Sequence, residues 1–228
     1  MTPKPPKTPK IPPVPEDLAA LPYAHLLTPH DVGSALSPEE RYDTVHFDHA
    51  PFEDDNAAGA HFLECAVTDS SFTAVNLRRA RFNDVWLQGT RFVGARLTET
   101  NWLDSWADSC ALAGVEAFGS GLRRVVFRRC KFDSVNLRTA SLREVTFEDC
   151  VLRDVDFGGA KLTDVSFPGS SLERLRLGQA TLKNMDLRGA VKLDLADGYD
   201  SLRGAIIGTD QLLELAPALA STLGITVT

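Results

Sequence analysis

From Val126 to Ala190 the chain can be cut into fives that all read alike: VFRRC, KFDSV, NLRTA, SLREV, TFEDC and onward to DLRGA. The second place of each five is Phe or Leu. The fifth is almost always small or compact and apolar. The third and fourth are mostly charged, polar or Gly. A period of five matches neither the helical 3.6 nor the strand 2.0. Two inward places in every five describe a backbone that turns a corner every five residues and coils around a thin core.

The phase extends backwards through Trp102, Phe92, Phe82, Phe72 and Phe62 to Phe52, Phe47 and Tyr42, and it fails at Lys192. The array therefore spans residues 41–190, about thirty fives. Charges set the size of one coil. Residues one coil apart lie about 4.8 Å from each other, where like charges repel. With fifteen residues per coil, ten like-charged pairs face five opposite ones; with twenty, eleven opposite pairs face four alike. Twenty residues in four sides is the better arrangement, which predicts seven to eight coils and a rod of roughly 36 Å.

This array resembles the pentapeptide-repeat proteins, whose pattern is A(D/N)LXX. The small place here is often Val or Cys, and the residue after it is often neither Asp nor Asn. The resemblance implies an all-β solenoid, a right-handed quadrilateral β-helix with four fives per coil. It also implies a function. Several members bind DNA gyrase, a type II topoisomerase, as mimics of duplex DNA, and protect it from inhibitors. The partner implied is then gyrase or a related topoisomerase, with antibiotic resistance as the outcome. The alternative is an interaction scaffold for another protein. A C-terminal helix in this family often joins two rods end to end, which implies a homodimer.

The ends of the chain read differently. Residues 1–15 hold seven prolines and three lysines, the composition of an extended tail. Residues 16–40 are expected to cap the N-terminal end of the coil, since solenoid ends expose apolar rungs and strand edges. Asp17 to Leu21 can start a short helix, and Ser37-Pro-Glu-Glu another. Residues 191–228 begin as a turn-rich connection. Ser201 to Ile207 resembles one last repeat. Thr209 then suits an N-cap for a helix from Asp210 to Leu223, ended by Gly224. Its apolar set, Leu212, Leu213, Leu215, Ala216, Leu219 and Leu223, would cover the last coil and form the dimer contact.

Inside the array, Phe72, Phe92, Phe132 and Trp102 belong to stacked columns of the core, and Cys110, Cys130 and Cys150, twenty apart, form a column of buried thiols. No Cys-x-x-Cys spacing calls for a metal. His46, His49 and His61 lie near Asp48 and Asp54 and read as solvated side chains. No phosphate loop, dinucleotide fingerprint, nucleophile elbow or triad spacing is present. The chain reads as non-enzymatic, with no cofactor.

Composition narrows the partners. A net charge of −7 and a pI near 5.2 argue against direct binding of nucleic acid. No apolar run spans a membrane and no signal peptide is evident, so a cytoplasmic location is expected. Glu64, Asp84 and Asp104, twenty apart, should form an acidic column that costs stability unless a partner uses it. They are the candidate partner-binding residues. Arg123, Arg124, Arg128, Arg129 and Lys131 form a basic band, mostly neutralised by acids one coil away.

Overall fold

The computed structural model describes residues 14–226. The proline-rich tail, residues 1–15, falls outside them except for Val14 and Pro15. The chain forms a parallel β-solenoid with a single C-terminal α-helix, α1, at Thr209–Thr222. From Tyr42 onward the rungs repeat every twenty residues. Phe62 pairs with Phe82, Phe82 with Trp102, and Trp102 with Leu122. Phe72, Phe92, Leu112, Phe132 and Leu152 form a second ladder. Phe47 and Val67 start a third. Single bridges Asn56–Asn76–Arg96–Glu116–Asn136–Asp156–Arg176 mark the fourth.

The solenoid is longer than the 41–190 array. One face carries ten rungs, from Pro29 and His46 through Trp86, Trp106 and Val126 to Asp186 and Ile206. That makes about nine coils rather than seven to eight, and a rod of about 43 Å. At Lys192 the phase slips by one residue and does not stop. Leu193 pairs with Leu172 and, beyond a bulge, Leu195 pairs with Leu175 and is buried.

The corners explain the pattern. Every fourth place from Glu39 to Asn184 has a positive φ between 47° and 74°, thirty corners in succession, of which seven are Gly. One left-handed residue per five turns the strand through each corner. Gly, Asp and Asn, which tolerate this backbone best, fill half of these places, and most of the rest are charged or hydroxyl side chains at the outside of the corner.

Second-place side chains stack down the core. Phe62 and Phe82 lie 4.9 Å apart and parallel, Phe72 and Phe92 4.8 Å, and Phe127, Phe147 and Phe167 are 5.1 Å apart at each step. Phe132 meets Phe127 and Phe147 edge-on. The fifth place has a different task. At Ala60, Ala80, Ala140, Ala160 and Ala180 its N–H turns back to the carbonyl three residues earlier, whereas along the column from Ala50 to Ser170 it is met by a side chain one coil on. Ala50 donates to Ser70 Oγ (2.9 Å), Cys110 to Cys130 Sγ (3.4 Å), Cys130 to Cys150 Sγ (3.4 Å) and Cys150 to Ser170 Oγ (2.8 Å). Cys130 and Cys150 are therefore hydrogen-bond acceptors in a hydroxyl-like ladder, while the Cys110 thiol donates to the Asp108 carbonyl (3.3 Å). All four cysteines are free and buried, and burial pushes the Cys65 thiol up to about 11.

Ala107 and Ala117 stand where neighbouring coils have Phe or Leu. A cavity of about 40 Å³ remains there, lined by Leu97, Trp102, Leu112 and Leu122 among others. Trp102 is only half-buried, stacked 3.8 Å from Phe82 with its indole N–H on Thr100 Oγ1 (3.1 Å).

Candidate functional site

The N-terminal segment does two things. His30 sits over the open end, with its ring 4.6 Å from Phe47 and 5.7 Å from Phe52, and buried Leu36 joins it by donating its N–H to Asp55 (2.8 Å). Thr28 and Pro29 add a rung beside Val45 and His46. Residues 14–27, in contrast, lie along the side of the rod. Leu21 and Tyr23 are buried there, with Val14, Leu18, Ala24 and Leu27 beside them. Asp17 caps a single 3₁₀ turn at Leu18–Ala20, in place of the short helix expected. Residues 37–40 form a turn with Glu39 at φ 56°, not a helix. Glu39 already donates its N–H to the Ala58 carbonyl (2.9 Å) and the Glu40 carbonyl accepts from His61 (2.8 Å), so this stretch is the first corner of the coil.

Beneath this strap is a strip of outward-facing first places, Ala66, Trp86, Trp106 and Val126, one per coil. Their neighbours Val67, Leu87, Ala107 and Phe127 point into the core. Sequence reasoning missed this strip because it read only the second and fifth places. The available signal was two tryptophans twenty apart at a place that is otherwise polar. The Trp86 indole N–H is buried and has no hydrogen-bond partner.

The acidic column lies two residues before this strip, at the left-handed corners Glu64, Asp84 and Asp104. The twenty-residue rungs bring the three together, and each is half-buried rather than fully exposed. Arg124, one coil on, grips Asp104 through two nitrogens. Asp84 is pushed up by burial and then by Asp104 and Glu64, against a weaker pull from Arg124. Tyr23 of the strap stands beside them. Its hydroxyl donates to the Cys65 carbonyl (3.3 Å), and burial followed by Cys65, Asp84 and Glu64 raises its pKa.

The basic band is largely spent within the rod. Arg128 and Arg129 both close on Asp108, whose side chain is fully buried. Elsewhere Arg79 pairs with Glu99 (2.7 Å), Arg174 with Asp154 (2.8 Å) and Arg153 with Glu173 (3.2 Å), all at the twenty-residue step. The histidines separate. His46 bonds to Thr68 Oγ1 (2.8 Å), and His49 to Asp48 (2.9 Å), while His61 lies on the Tyr42 ladder. Among the described residues no group of three or more His, Cys, Asp or Glu is placed to hold a metal.

Helix α1 starts one residue earlier than expected, with Gly208 as N-cap, whose N–H is taken by Gln211 Oε1 (2.9 Å). The Gln211 amide in turn donates to the Leu187 carbonyl (2.7 Å) and ties the helix to the last coils. The six apolar residues named for it divide. Leu215 is buried and Leu219 half-buried against the rod, while Leu212, Leu213, Ala216 and Leu223 are exposed. No helix among the described residues is long and apolar enough to cross a membrane.

Residues 76–101 match the family model for pentapeptide repeats (8 copies), and residues 105–177 the model for a pentapeptide repeat region. No curated protein matches the chain in sequence. Among solved structures, full-length QnrB1, a plasmid-mediated fluoroquinolone resistance protein, aligns at 18% identity with a TM-score of 0.54, covering 87% of this chain and 100% of its own. A trypsin-treated QnrB1 variant aligns at 18% with a TM-score of 0.50, covering 88% and 95%. At this identity the likeness is one of fold.

Proposed function

From the premise that the chain is a pentapeptide-repeat protein, we propose that it is a non-enzymatic, cytoplasmic binding protein. Its partner in this reading is a type II DNA topoisomerase, which it modulates or shields from inhibitors as a DNA mimic. The observation that carries the reading is the column of carboxylates at coil spacing. Glu64, Asp84 and Asp104 are followed, after the break at Arg124, by Glu144 and Asp164 on the same corner. Evenly spaced fixed negative charge on a rigid rod is what a DNA-binding groove recognises. The exposed side of α1, Leu212, Leu213, Ala216 and Leu223, supplies an apolar contact for a second copy, and two rods end to end are about 86 Å long, with the column occupying about 24 Å of each.

A second reading, a scaffold for another protein, is favoured by the strap and tryptophan strip, since a DNA mimic has no use for either. Supercoiling by gyrase, with and without a fluoroquinolone, separates the two. Titrated protein should inhibit the reaction or rescue it from the drug, and the triple variant Glu64→Gln, Asp84→Asn, Asp104→Asn should lose the effect. Full gyrase activity and full drug sensitivity at a large excess of protein would leave the scaffold reading.

A further inference from the structure

The strap, residues 14–27, holds Glu16 and Asp17 and brings no Lys or Arg to an acidic seat. The seat is rimmed by Glu64, Asp84 and Asp104, of which only Asp104 has a cation in contact among the described residues. Two polar groups are left poorly served by the closed strap. The Trp86 indole N–H is fully buried and unpartnered, and half-buried Asp84 has acidic neighbours on both sides of its column. The contact is otherwise apolar. The side-chain hydrogen bond that joins the strap to the rod is the one from Tyr23 to Cys65, at 3.3 Å. Buried donors and carboxylates are ordinarily satisfied by their native occupant.

We infer that residues 14–27 are a displaceable occupant of a docking strip formed by Ala66, Trp86, Trp106 and Val126, and that the strip takes, in their place, a basic segment of a partner protein. That segment carries apolar anchors at the spacing of Leu18, Leu21 and Tyr23. It adds a Lys or Arg that meets Asp84 and Glu64, and an acceptor for the Trp86 N–H. Tryptophans on the strip offer their faces to the same cation. The strap then holds the strip shut until such a partner displaces it, as a cis competitor that lowers apparent affinity. This inference does not rest on the topoisomerase reading, and its test contains no topoisomerase.

The test uses the full chain, opened by Leu21→Asp, and two labelled peptides. One has the sequence of residues 14–27; the other carries Glu16→Lys and His25→Lys. The opened chain should show red-shifted tryptophan emission. It should bind the lysine peptide at least tenfold more tightly than the natural peptide, and at least tenfold more tightly than the wild-type chain does. Adding Asp84→Asn to the opened chain should abolish the preference between peptides. If Leu21→Asp does not fold, the pair Leu18→Ser and Leu21→Ser removes the same anchors without adding charge. A folded, opened chain that binds both peptides equally, or neither, overturns the inference.

Discussion

Arg129 reaches back twenty-one residues, across a corner, to the carboxylate of Asp108, with Nε 2.9 Å from Oδ1. Arg128, directly one coil above Asp108, takes the other oxygen at 2.7 Å. Burial alone would raise the Asp108 carboxyl. Hydrogen bonds from Arg129 and Arg128 outweigh it and hold the group below the usual carboxylate range. Asp108→Ala removes these charge-assisted hydrogen bonds while the arginines can turn to solvent, so it should cost on the order of 2 kcal/mol in urea unfolding.

The same cluster makes a pH prediction. Its folded pKa lies below the unfolded value of about 3.9, so its stabilisation is whole above pH ~4 and is lost as pH falls through the lowered folded value. Stability of the wild type should fall over that window. Asp108→Asn should start less stable and flatten that part of the curve. An unchanged slope would show that Asp108 is not the titrating group.

The thiol ladder predicts an order among substitutions. Cys130→Ala leaves the Cys110 N–H buried and unpaired, at a cost of about 1–3 kcal/mol. Cys130→Ser keeps an acceptor at the same place, as Ser70 and Ser170 already do in this column. It should melt close to the wild type. Equal losses for both variants would mean that packing, not the hydrogen bond, governs the site.

The core cavity predicts a gain. Ala107→Val adds two methyl groups beside a void of about 40 Å³, and Val67 already occupies this column two coils earlier. At about 0.8 kcal/mol per buried methyl or methylene group, the melting temperature should rise. A fall would mean that the void cannot open toward position 107 without strain.

Much of this architecture was legible in the sequence because the second place never loses phase across thirty corners. Phe62, Phe72, Phe92 and Leu142 each carry the same information about where the chain faces inward. Ion pairs such as Arg79–Glu99 and Asp104–Arg124 were legible for the same reason, since a twenty-residue step is rigid. What escaped was the apolar part of the outside of the rod. Trp86 and Trp106 looked out of place only once outward positions were read as columns. Leu21 and Tyr23 carry no period at all, so nothing local says that they lie along the rod's side. The bulge at Lys192 looked like an end because a one-residue slip inverts the frame while the backbone ladder continues.

The twenty-residue rung has a consequence for how such a chain can change in length. Almost every pairing closes a loop of the same size, so the entropic cost of adding a coil does not grow with the number already present. Deleting residues 121–140 would join two coils whose ladders already agree, and should leave a shorter rod that still folds. Deleting nineteen residues at the same place would leave a one-residue mismatch that the joined coil must absorb as a bulge, as the coil at Lys192 does. Duplication or loss of genetic material in units of sixty base pairs is therefore silent to the fold, and the length of the rod is open to selection one coil at a time.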